Sequence, residues 1–118
     1  VKAKPVKLVY GEGYFDCSVA EATHVELNMP GPLARRHLPV ILRGSRADTG
    51  RWTWDGDTEK PTLRPSVLTE LPLAEGTIRC HTWVNEGVAQ FLSDCSHELA
   101  GQTMPLLDVT GVNTGGEV

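Results

Sequence analysis

The sequence predicts a mostly β protein: a small antiparallel β-sandwich or partly open barrel with little helix. Three observations lead there. Short stretches that alternate apolar and polar residues, or run apolar, recur along the whole chain. Gly, Pro, Asn and Asp interrupt them at close intervals, as turns between strands require. No long stretch repeats its apolar residues with the 3.6-residue period of a helix.

The chain has 118 residues, enough for one modest core. Its 40% hydrophobic and 22% charged residues are ordinary for a globular protein. One β-rich domain is expected over residues 1–110, followed by a Gly-rich, frayed tail at 111–118. A formal net charge of -4, with Arg35-Arg36 the only adjacent basic pair, argues against a nucleic-acid partner. No apolar run approaches the roughly 20 residues of a membrane helix, and no secretory signal pattern opens the sequence. Three cysteines are too few for a disulfide scaffold. The expectation is a cytoplasmic protein with reduced thiols and no membrane partner. The sequence opens on Val1, and the expectation is that a start methionine or a longer leader has been removed.

Taken in order, Lys2 to Tyr10 alternates and reads as a strand, closed by Gly11-Glu12-Gly13. Tyr14 to Val19 resumes an extended pattern and carries Cys17, and Glu21-Ala22-Thr23 is a turn or one helical turn. His24 to Met29 places Val25, Leu27 and Met29 inward and His24, Glu26 and Asn28 outward. Pro30-Gly31-Pro32 ends that strand, because proline cannot donate to a ladder. Leu38 to Leu42 reads as a buried strand, and Arg43 to Gly50 as a polar loop. Arg51 to Trp54 sets Trp52 and Trp54 on one strand face before a turn at Asp55-Gly56. Ser66, directly after Pro65, heads a strand from Val67 to Leu71. Glu98 to Gly101 makes one helical turn, and Thr103 to Val109 a last strand.

The stretch from Thr77 to Thr103 concentrates chemistry in one hairpin around Asn85-Glu86-Gly87. Cys80-His81 lies on its first arm and Asp94-Cys95-Ser96-His97 just beyond its second. A three-residue loop pairs His81 with Phe91 and puts His81, Trp83, Ala89 and Phe91 on one face. A two-residue loop pairs His81 with Gln90 and puts it on the face of Leu92 and Asp94. A one-residue slip exchanges the faces. The sequence does not settle which holds, but the three-residue loop suits a bulge at Gly87 better, and Asp94 then reaches His81 only where the strand bends.

Two chemical readings compete. Cys17, His24, Cys80, His81, Cys95 and His97 are zinc-ligand types. Yet no Cys-x-x-Cys occurs, and adjacent Cys80 and His81 point to opposite faces of a strand. The other reading is nucleophilic catalysis, with a nucleophile, a base and a group that orients the base. Ser66, either His81 or His97, and Asp94 could supply these. For each residue a bland role stands beside the chemical one: a turn serine, a core histidine, a tryptophan at the edge of the core.

Four segments carry a family resemblance. They are Trp52-x-Trp54-x-Gly56-Asp57, then Pro61-Thr62-Leu63-x-Pro65-Ser66-Val67, then Cys80-His81-x-x-Val84, and last Phe91-Leu92-x-Asp94-Cys95-x-His97-x-Leu99-Ala100-Gly101-Gln102-Thr103. From about Tyr14 to Leu106 the chain resembles a family of small phage and bacterial proteins, often labelled ammonia monooxygenase. Some of its members sit in bacterial ubiquitin-like conjugation (Bub) operons, where the BubE-type member is described as a serine peptidase. The resemblance implies a serine hydrolase acting on a ubiquitin-like protein or its conjugates. It makes Ser66 the nucleophile and His81 the base, with Asp94 and His97 orienting or supporting it. It requires no cofactor, and its partner is the ubiquitin-like protein or its flexible, glycine-bearing tail. Trp52, Trp54 or Trp83 would wall an extended groove for that tail. Oxyanion donors are expected among backbone amides near Ser66 or in the Ser96-to-Gly101 turn. The alternative is a non-catalytic binding module with a structural zinc on Cys17, Cys80, Cys95 and His97. Many relatives carry Cys-Pro-x-Cys near the start, where this chain reads Cys17-Ser18-Val19-Ala20. The missing second cysteine weighs against that zinc.

Overall fold

The computed structural model describes residues 1–31, 35–44 and 50–109. Its strands are Ala3–Val9 (β1), Gly13–Asp16 (β2), His24–Asn28 (β3), Arg35–Leu42 (β4), Trp52–Trp54 (β5), Leu63–Leu73 (β6), Gly76–Asn85 (β7), Val88–Phe91 (β8) and Thr103–Pro105 (β9). They form one sheet in the order β2-β1-β3-β4-β5-β6-β7-β8-β9, which is not closed into a barrel. Among the described residues the one named helical element is a short 3₁₀ turn at Val19–Glu21. The mostly β expectation therefore holds, in its open form. Chain beyond β9 returns to β3, where Leu107 N–H donates to the Asn28 carbonyl at 2.9 Å. Pro32, the centre of the polar loop at 45–49 and the tail at 111–118 lie outside the described residues. No helix among the described residues is long and apolar enough to cross a membrane.

One face of the sheet is the core. Val25 and Leu27 of β3, Leu38 and Val40 of β4, Trp54 of β5, Leu63 and Val67 of β6, Val84 of β7 and Phe91 of β8 are all buried on it. Their spacing by two is the alternation of a half-buried strand. Glu26 departs from that pattern. It points away from Val25 and Leu27 yet is buried, because Arg35 covers it with a 2.8 Å ion pair and Lys4 and His37 stand close by. A second departure is the β4–β5 pair, which is parallel, Val40 lying opposite Trp52. Every other neighbouring pair is antiparallel.

Two features of this sheet position the candidate site. The β7–β8 hairpin turns on Glu86 and Gly87, both at positive φ (46° and 80°), as a tight two-residue turn requires. Asn85 pairs with Val88 and Thr82 with Phe91. Neither expected register is correct. The turn sits one residue further along because a neighbouring segment clamps it: Glu86 N–H donates to Thr62 Oγ1 and Gly87 N–H to the Pro61 carbonyl, each at 2.9 Å. Leu92 now lies beside His81 and donates its N–H to the His81 carbonyl. His81 therefore has the face expected from a two-residue loop, without its pairing to Gln90.

The second feature is in β6. The strand does not begin after Pro65 but at Leu63, where it pairs with both β5 and β7. The register shifts between Leu63 and Val67, so Arg64, Pro65 and Ser66 together oppose Trp83. Such a bulge accommodates a proline and re-aims the side chain that follows it.

Candidate active site

The bulge and the hairpin bring three side chains into line on the face opposite the core. Ser66 Oγ lies 2.9 Å from His81 Nε2. His81 Nδ1 lies 3.0 and 3.1 Å from the two carboxylate oxygens of Asp94. With Asp94 ionised, Nδ1 must carry the proton that the carboxylate accepts, which leaves Nε2 to accept from the Ser66 hydroxyl. The bond from His81 is the largest cause holding the Asp94 carboxyl below the usual carboxylate range. Slight desolvation opposes it, and the His81 and Arg79 charges reinforce it. Arg79 stands 3.9 Å from Asp94 and closes a 2.7 Å ion pair with Glu70.

The backbone around His81 is fixed by side chains that continue the sheet past the end of β8. His81 N–H donates to Cys95 Sγ at 3.2 Å, and the Cys95 thiol donates to the His81 carbonyl at 3.3 Å. Arg79 N–H donates to Ser96 Oγ at 2.7 Å, while Ser96 N–H donates to the Arg79 carbonyl at 3.0 Å. Thiol and hydroxyl thus do what carbonyls do in a regular ladder. They hold the 92–96 segment, with Asp94 in it, against β7. No motif signals this; it follows only from the pairing.

The remaining expected residues are dispersed. The His97 ring meets Phe91 edge-on at 5.3 Å, and its Nδ1 accepts from Leu99 N–H at 3.3 Å. Its buried Nε2 has no hydrogen-bond partner among the described residues. It lines a separate groove of ≈ 510 Å³ with Pro30, Gly31 and Met104. Trp54 is wholly enclosed, its indole N–H bonded to the Asp57 carbonyl at 3.2 Å, so it offers a substrate no surface. Trp52 donates its indole N–H to the carbonyl of Ser66 at 3.3 Å. Trp83 lies beneath the Arg64 guanidinium, 5.3 Å from its ring centre. Both are therefore beside Ser66. In the Ser96-to-Gly101 turn, the amides of Ser96, Leu99, Ala100 and Gly101 already have acceptors.

Cys17, Cys80 and Cys95 are free thiols. Burial, with the neighbouring Cys95 adding to it, pushes the Cys80 thiol up, the opposite of what a nucleophilic cysteine needs. Among the described residues no group of three or more His, Cys, Asp and Glu side chains converges to hold a metal ion. The zinc set drawn from the sequence is thus not assembled there.

A hydroxyl, an imidazole and a carboxylate bonded in series, on a sheet face open to the outside, form the Ser-His-Asp constellation of serine hydrolases. The family comparison agrees: residues 15–92 match the model described as "Bacterial ubiquitination-like system serine protease (BubE)", and the chain belongs to that family. Ser66 and His81 fall inside the match and Asp94 just beyond it. No curated protein and no solved structure matches the chain.

Proposed function

We propose that this protein is a cytoplasmic serine peptidase that cleaves a bacterial ubiquitin-like protein near its C-terminal tail, either in processing or in release from conjugates. The observation that carries the proposal is the unbroken chain from Ser66 Oγ through His81 to Asp94. The family's place in a bacterial ubiquitination-like system supports the substrate.

In the first step Ser66 Oγ attacks the scissile carbonyl carbon while its proton passes to His81 Nε2. The new C–O bond gives a tetrahedral oxyanion, and Asp94 stabilises the imidazolium across Nδ1. The C–N bond then breaks as His81 returns the proton to the leaving nitrogen. Water, losing a proton to His81, hydrolyses the remaining ester and restores the Ser66 hydroxyl. Backbone amides near Ser66 are the oxyanion donors in this scheme, each such donor contributing roughly 10²-fold or more. His97 acts at a distance, by supporting the turn that follows Asp94.

The test uses the system's ubiquitin-like protein fused to a C-terminal extension. The unmodified enzyme should remove the extension, and Ser66→Ala should slow removal by about 10³-fold or more. Cleavage by Ser66→Ala at the unmodified rate would overturn the assignment.

A further inference from the structure

Among the described residues, one strand edge immediately beside Ser66 has no pairing strand. β5 covers β6 only at Leu63 and Arg64. From Ser66 to Leu73 no further strand pairs with that side of β6 among the described residues. The direction of the backbone groups follows from β7. The N–H and carbonyl of His81 are both engaged with Leu92 and Cys95, and those of Arg79 with Ser96, on the side away from β6. Leu68 faces His81 and Glu70 faces Arg79 in the β6–β7 ladder. Both are therefore non-hydrogen-bonded pairs, and the N–H and carbonyl of Leu68 and of Glu70 point outward along the open edge. The Ser66 carbonyl points the same way, since it meets the Trp52 indole on the β5 side. The edge is bounded at one end by that indole and at the other by Pro72, which has no N–H. Between Ser66 and Pro72 it spans about 20 Å at the rise of a strand.

Unpaired strand edges recruit other strands. We propose that the edge of β6 takes the extended tail of the substrate as an added antiparallel strand, bonded to the main chain of Leu68 and Glu70, with its carboxyl end delivered to Ser66. This rests on the peptidase reading above. Direction is set by β5, which runs antiparallel to β6 and which the tail would continue. A tail so placed advances from the arm tip towards Trp52, so its acyl side lies along the edge and its last residues reach the serine. Its amino-terminal side leaves past Pro72. There Leu71 and Leu73 are 41% and 42% exposed on the projecting arm, an apolar surface for the folded body of the same partner. Each tail residue opposite Leu68 or Glu70 exchanges two main-chain bonds, while the residue between them makes none. Binding therefore reads an extended backbone and depends little on the tail's side chains.

The experiment follows amide hydrogen exchange by NMR in full-length Ser66→Ala, with and without saturating free hexapeptide Ser-Leu-Thr-Val-Gly-Gly. The amides of Leu68 and Glu70 should slow by about tenfold or more, while those of Val67 and Thr69, already directed at β7, should change little. A nitroxide on the peptide's amino terminus should broaden Leu73 and spare the Trp52 indole. Absence of binding at millimolar peptide, or binding that leaves Leu68 and Glu70 unprotected, overturns the proposal. Broadening at Trp52 overturns its direction. Hydrolysis of p-nitrophenyl acetate by the unmodified protein tests the nucleophile separately. Protection without ester hydrolysis keeps the docking edge and removes the peptidase reading.

Discussion

Cys80 and His81 are neighbours on one strand and occupy different chemical environments. Cys80 faces the core, 4% exposed, and burial pushes its thiol up. His81 faces outward, between a serine hydroxyl and a carboxylate. The alternation of β7 thus separates a Cys-His pair that reads as a metal motif into a packing residue and an outward histidine held between Ser66 and Asp94. The same separation holds across the strand ladder. Thr82, Val84 and Phe91 pack inward, whereas Ser66, Leu68, Arg79 and Trp83 line the outer face. Under this division, outer-face changes should alter turnover and inner-face changes should alter stability.

The largest effect after loss of Ser66 itself is expected from Asp94→Asn. The amide can no longer hold the proton on Nδ1, and kcat should fall by about 10²-fold or more with little change in unfolding free energy. A loss of stability with unchanged kcat would place Asp94 on the structural side of the division. Cysteines give a finer contrast. Cys95 bonds both main-chain groups of His81, so Cys95→Ala should lower kcat by about tenfold at unchanged KM, and Cys95→Ser should recover part of it. Cys80→Ala should leave kcat within about twofold and cost about 1 kcal/mol of stability by urea unfolding. The smallest effect is electrostatic. Asp94 should titrate below the value of about 3.9 usual for aspartate, and His81→Ala should raise it again, as read by carbon NMR of the carboxyl. Because the folded value is lowered, the stabilisation from this pair is fully present above about pH 4 and is lost as pH falls through the lowered value.

Much of the strand pattern was readable from alternation and turn residues, including Val25, Leu27 and Met29 inward and Cys80 and His81 on opposite faces. The hairpin register was not. It depends on Pro61 and Thr62, which grip Glu86 and Gly87 from a segment far away in the chain. In the sequence Pro65 interrupts the pattern, which predicts Ser66 at the head of a strand. Its position inside a longer strand depends on Leu63 finding Val84 beyond the bulge. Trp52 and Trp54 share a spacing but not a role, since only the first lies beside Ser66. Arg79 was recoverable, standing two residues before His81 and hence on its face. The thiol bridge from Cys95 was not, because a sulfur standing in for a carbonyl leaves no local signature.

The central claim is that His81 activates Ser66, and covalent labelling tests it most directly. The protein would be treated with a fluorophosphonate and its peptides mapped by mass spectrometry, beside His81→Ala. The account predicts one adduct, on Ser66, abolished in His81→Ala. An unlabelled Ser66, or labelling that persists without His81, would contradict it.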